Sequence, residues 1–188
     1  RPVGYDRDGL IMMRKQSNDF KGKYEVLRHE LKNTGVVYEV SESMGPVTEI
    51  YSGNNGWDWK GRNPEDDRSF ATLSVSHLHG KTVSWQFVQG RDFDLSNASD
   101  SLGIVINESA LQRMNLQEPI GEPVSWTWWS DKSRVLHYKI LGVIKDMVMD
   151  SPYGPAQPTI FYLKGHNGTP SWVNIKINPQ VSVSEALP

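Results

Sequence analysis

Residues 89–114 read "QGRDFDLSNASDSLGIVINESALQRM", and the two readings of this stretch lead to two different proteins. Four acidic groups, Asp92, Asp94, Asp100 and Glu108, surround a short apolar run, so the stretch is either a site that does chemistry or a join between two pieces of fold. Paired carboxylates serve as general acid and base in glycoside hydrolysis, and the seven tryptophans of the chain would supply a sugar platform. Yet Asp, Asn, Ser and Gly are also what a solvated loop uses for turns and caps, and no spacing singles out one pair of carboxylates. The join is the simpler reading. "LGIVI" at 102–106 is then a buried strand, and Asn107 caps a short helix that carries Ala110, Leu111 and Met114 on one side.

Upstream of the join, "DGLIMMRK" reads as a strand, followed by a helix in "SNDFKGKYEVLRHELKNTG" with capping residues at Ser17 to Asp19. Its apolar positions Phe20, Tyr24, Leu27 and Leu31 share one helical face, and it stops near Asn33, before Gly35. "VVYEVSES" resumes as a strand, so the opening suggests a βαβ unit. "GNNG" at 53–56 marks a turn between short strands, and "SFATLSVS" is a further strand. "HLHGKTVSWQFVQGRDF" has too few periodic positions to type, with Leu78, Trp85 and Phe87 expected in the core. Downstream, "EPVSWTWW" and "RVLHYKILGVIKD" form a β-hairpin pattern, "PTIFYL" and "SWVNIKI" add strands, and Ser184 starts a helix that the chain does not continue. The fold class expected is α+β: a sheet-and-helix part whose chain is interrupted by a β-rich insertion.

Composition narrows the function. The chain has 188 residues, 37% of them hydrophobic and 22% charged, which is enough to bury a sizeable core. Twenty basic residues against 22 acidic ones give a formal charge of −2 with the basic residues scattered, so no footprint for nucleic acid appears. The absence of cysteine excludes thiolate metal sites, thiol catalysis and disulfides. The longest aliphatic runs are a quarter of the roughly 20 residues that span a bilayer. Both ends, Arg1 and "SEALP", read as the edges of an excised fragment.

Most catalytic signatures are missing: no GxSxG elbow, no GxGxxG and no Walker-type loop. "HELKN" at 29–33 begins like a zinc-protease helix, but Asn33 stands where the second imidazole is needed. His77 and His79 would lie on one side of a strand if that strand persists, which permits two imidazoles on a metal. No third ligand can be chosen for them among His29, His137, His166 and the carboxylates, so metal binding there stays open beside the reading as ordinary surface histidines. "DRDG" at 6–9 lacks the further oxygen ligands and closing Glu of a calcium loop and reads as a turn. In "WTWW", Trp128 and Trp129 are adjacent on a strand and point to opposite faces, so one of them is a candidate contact residue. Trp57 and Trp59 in "GWDWKG" share a face, and core packing is the simpler assignment for both.

The order of the motifs carries more than any one of them. "GYDRDGL", "GVVYEVSESMGP", "GWDWKG", "QGRDFD", "SDSLGIVINESALQRM", "EPIGEPVSW", "YKILGVIKD" and "SWVNIKIN" follow in a sequence that resembles the periplasmic core domain of MacB/FtsX-type ABC-transporter permeases. That resemblance implies a porter-like α+β part, here 1–89 and 165–188, and an inserted β-rich, sabre-like part, here 90–164. It implies a domain on the periplasmic side of the bacterial inner membrane, with transmembrane helices flanking it in the intact protein. Implied partners are an ABC ATPase subunit or domain, a permease dimer partner, and a periplasmic adaptor or cargo. ATP hydrolysis would sit in the nucleotide-binding domain, so this domain would be no enzyme, would need no cofactor, and would act by movement. Gly90 and Gly165, at the two crossings between the parts, are then the hinge candidates. The alternative is a carbohydrate- or ligand-binding module built on the tryptophans.

Overall fold

The computed structural model describes residues 4–16, 22–128, 130–149, 154–163 and 171–181. Among the described residues, three α-helices, one short 3-10 helix (Ala98–Leu102) and eleven strands are formed. In chain order the strands and α-helices are β1 (Leu10–Arg14), α1 (Tyr24–Asn33), β2 (Val37–Ser43), β3 (Gly53–Asn54), β4 (Trp57–Trp59), β5 (Phe70–Val75) and α2 (His79–Val83). There follow β6 (Phe87–Gly90), β7 (Gly103–Asn107), α3 (Glu108–Met114), β8 (Pro123–Thr127), β9 (Val135–Ile144), β10 (Thr159–Leu163) and β11 (Trp172–Ile177). The fold is α+β, as expected.

One sheet runs in the order β1-β11-β2-β5-β10-β7-β9-β8-β4, with β3 on β5 and β6 on β9. The opening strand, helix and strand form, but β1 and β2 are not neighbours. β11 lies between them, antiparallel to both, so the crossover is split by a strand from the far end of the chain. Local pattern cannot reveal such a long-range insertion, because β11 reads the same wherever it pairs. The "GNNG" turn likewise separates strands that go to different partners: β3 pairs with β5 and β4 with β8.

β7 is buried over its whole length, as a continuous apolar run requires. Alternation divides its side chains between two cores. Ile104 and Ile106 join Ile140, Ile160, Tyr162, Trp57 and Trp126 on one face, beneath Ala110 and Met114 of α3. Val105 joins Leu73, Val75, Ile144 and Phe161 on the other, beneath Val83, Trp85 and Phe93. Asn107 makes the turn from strand to helix. Its Oδ1 accepts from the N–H of Ala110 at 3.0 Å and from that of Thr159 at 2.8 Å, so one side chain caps α3 and ties it to β10.

A third, smaller core lies under α1, where Tyr24, Leu27 and Leu31 meet Val40 and Val173. The capping residues at 17–19 and Phe20 lie outside the described residues, as does the expected helix at Ser184. In the untyped stretch, α2 and β6 form, Trp85 is buried, and Leu78 and Phe87 are half-buried at the edge of the core. The sheet is continuous across the join: β6, before it, pairs with β9, after it.

Candidate functional site

The acidic stretch is organised as a corner. Asp100 is fully buried and receives both guanidinium nitrogens of Arg91, one of them at 2.9 Å, together with the Asp94 N–H at 2.8 Å. The Arg91 contacts hold the Asp100 carboxyl below the usual carboxylate range. Asp94 accepts from the N–H and hydroxyl of Ser96, and Glu108 accepts from the N–H of Asp146. Asp92 accepts from the N–H of Phe93 and lies against Gly80, where burial raises its pKa to about 6. Each carboxylate of the stretch therefore closes a turn or a pair of segments.

Gly90 begins that corner. It has φ +69°, pairs with Gly142, and lies so close to the chain that a Cβ would sit 2.2 Å from the Leu141 carbonyl oxygen. Bending at Gly90 requires opening the β6–β9 pairing. Gly165 lies outside the described residues.

The histidine pair does not share a strand. β5 ends at Val75, His77 falls in the following turn, and His79 opens α2, because the chain turns down to cover the sheet. His79 is fully buried, its Nδ1 is 3.1 Å from Ser41 Oγ, and its Nε2 has no hydrogen-bond partner among the described residues. Burial drives its pKa down to about 3, so the ring is neutral. Two imidazoles presented side by side on a strand face, the arrangement that would hold a metal, are thus not formed.

Two ionic clusters were not anticipated. Glu39 in β2 is fully buried and accepts from Arg28 at 2.7 and 3.1 Å and from Lys32 at 2.9 Å, with Lys81 at 3.3 Å. Burial alone would raise its pKa, but the Arg28 and Lys32 contacts and the N–H of Val40 outweigh it and hold it at about 2. The signal was present in the spacing of Arg28 and Lys32, one turn apart on the helix preceding the strand. The "DRDG" turn also has an occupant. The ammonium of Lys176, itself buried, donates to Asp6 Oδ2 at 2.6 Å and to the Asp8 carbonyl at 2.7 Å, so a lysine takes the place a cation would have. A 390 Å³ hollow lies beside it, lined by Asp6, Asp8, Lys176 and Val181 among others.

The tryptophans are largely committed to packing. Trp57 stacks on Trp126 at 5.0 Å with planes 7° apart, and Trp59 donates its indole N–H to the Met114 carbonyl. Trp128 is half-buried, tilted on Trp126 at 5.2 Å, and covered by the Arg134 guanidinium at 4.5 Å. Trp129, the other contact candidate, lies outside the described residues. A shallow 300 Å³ hollow over β4, β8 and β9 carries Asp58, Lys60, Ser125 and His137, but no three metal-ligating side chains converge anywhere among the described residues. No described helix is long and apolar enough to cross a membrane.

No family model and no curated protein matches this chain. Solved structures do. The periplasmic region of MacB from Actinobacillus actinomycetemcomitans superposes with a TM-score of 0.61 at 14% identity, covering 97% of this chain and 80% of that one. The extracellular domain of YknZ, a noncanonic ABC-type transporter from Gram-positive bacteria, gives 0.56 at 13% identity, covering 94% and 87%. The chain therefore has the fold of the MacB periplasmic region, over almost its whole length.

Proposed function

We propose that this chain is the extracytoplasmic domain of an ABC-transporter permease, which passes ATP-driven conformational change to an export cargo or a periplasmic partner. The observation that carries this reading is the likeness to the MacB periplasmic region over 97% of the chain. In this reading the porter-like part is 1–89 with 165–188, the inserted part is 90–164, and ATP is hydrolysed on a separate domain or subunit. The domain needs no reacting group of its own; what it needs is packed units that move as bodies.

Fractionation of the intact native protein tests the placement. It should remain in the inner-membrane pellet after alkaline carbonate washing, and protease added to spheroplasts should cut the hairpin around Trp128 from outside. A protein that washes free, or one cut only after lysis, would overturn the proposal.

A further inference from the structure

We infer that the cationic cluster of Arg28, Lys32 and Lys81 binds a phosphate ester, with the buried Glu39 holding the three side chains in place for it. Glu39 gathers more charge than it can balance. Its Oε1 accepts from Arg28 Nε at 2.7 Å and from the N–H of Val40 at 3.1 Å, and its Oε2 accepts from Arg28 Nη2 at 3.1 Å and Lys32 Nζ at 2.9 Å, with Lys81 Nζ at 3.3 Å. Three cations thus meet one carboxylate, where Asp100 has Arg91 and Asp6 has Lys176. The next acid, Glu25, stands one turn before Arg28 on α1 and is exposed, so water and salt screen it. Positive charge is left over between α1 and α2.

The unused donors set the chemistry of the ligand. Arg28 keeps Nη1, and the two ammonium groups, brought together on one oxygen, keep N–H donors of their own; none of the three side chains has another acceptor among the described residues. All three reach solvent, and Lys81 also lies over the ring of the exposed Tyr38 at 5.2 Å. A guanidinium beside two ammonium groups, with both oxygens of the one carboxylate between them occupied, suits a tetrahedral oxyanion that offers several oxygens at once. A metal ion or an amine would be repelled. Because Glu39 already orders the side chains, the ligand does not have to pay for their rotamer freedom. A soluble phosphate monoester and a phosphatidic acid headgroup present the same group. The inference stands on the cluster and does not depend on the transport reading.

Thermal melts of the 188-residue chain with glycerol 3-phosphate at fixed ionic strength provide the test, together with co-sedimentation on phosphatidylcholine vesicles with and without phosphatidic acid. Glycerol 3-phosphate should raise Tm along a saturable curve, and sodium acetate should not. Lys81→Gln, whose side chain is 47% exposed and makes the longest contact to Glu39, should weaken binding at least about tenfold and keep the fold. Lys32→Gln should do the same, and Lys60→Gln, in a residue at the far end of the sheet, should change it less than about twofold. Vesicle binding that needs phosphatidic acid and is lost in both Lys81→Gln and Lys32→Gln assigns the headgroup; a saturable melting shift without it assigns a soluble ester. The inference is overturned if neither probe binds, if acetate matches glycerol 3-phosphate, or if Lys81→Gln and Lys32→Gln bind as wild type does.

Discussion

Ser43 and Val75 form the single residue pair that joins β2 to β5. Two backbone bonds beside it, Met44 N–H to the Ser74 carbonyl and Ser76 N–H to the Glu42 carbonyl, complete the connection. Every other junction along the main path of the sheet is at least three pairs long. Above the bridge the edge of β2 is closed by side chains: the Tyr24 hydroxyl donates to the Val40 carbonyl, and Glu39 accepts from the Val40 N–H. The three strands β1, β11 and β2 thus form a unit attached to the rest of the sheet by a narrow seam.

Hydrogen exchange should find that seam. The amides of Met44 and Ser76 are expected to exchange at least about tenfold faster than those of Val105 and Phe161, which lie in the centre of the larger unit. Equal protection at all four would mean that the sheet opens only as a whole, and that any movement within the domain is located elsewhere.

Glu39 links α1, α2 and β2 through one carboxylate. Because its pKa is held at about 2 instead of 4.5, it contributes stability above pH 4.5 that is lost as pH falls toward 2. Glu39→Gln leaves Arg28 and Lys32 facing a neutral group and should cost about 2–4 kcal/mol at neutral pH, below the roughly 3–5 kcal/mol of a fully buried pair because its partners are partly exposed. Denaturant titrations at pH 7 and pH 3 should show the difference between wild type and variant shrinking at the lower pH.

His79 and Asp92 give opposite signs. His79 is neutral in the fold, so the unfolded chain takes up a proton first, and stability falls as pH drops from 6.5 toward about 3. Asp92 is harder to ionise in the fold than in the unfolded chain, so its contribution falls as pH rises from 3.8 toward about 6. Asp92→Asn should therefore raise stability by roughly 1–3 kcal/mol at neutral pH and by little below pH 3.8. His79→Gln should flatten the slope between pH 6.5 and 3 whatever it costs in packing. Unchanged slopes in both variants would remove these residues from the acid response.

What the sequence made legible was whatever local pattern determines. β7 and the Asn107 cap could be read because an apolar run of five residues followed by a capping amide has few other uses. The pairing of Trp57 and Trp59 in the core followed from period-two alternation around the exposed Asp58. The position of β11 between β1 and β2 could not be read, since β11 lies at the opposite end of the chain from β1 and nothing in "SWVNIKI" names its neighbours. The histidines were placed on a strand because "SVSHLH" alternates, but α2 starts inside that alternation, and tertiary packing decided where β5 ends. Lys176 was missed for the same reason: its partners Asp6 and Asp8 lie at the opposite end of the chain.

Gly90 carries the last prediction, because the corner it begins is where the chain crosses from one expected part to the other. Its φ of +69° and the Leu141 carbonyl 2.2 Å from a modest added Cβ act together, whereas Gly121, at φ +84°, has open space around it. Gly121→Ala should then cost about 1 kcal/mol, the backbone cost alone, and Gly90→Ala at least about twice that, because the β6–β9 pairing must shift as well. Thermal melts of the two variants decide it. If Gly90→Ala melts with or above Gly121→Ala, the β6–β9 contact yields easily, and the crossing at Gly90 bends at low cost, as a hinge there would require. If it melts well below, the corner is a rigid fastening, and the bend that a hinge needs is not made at Gly90.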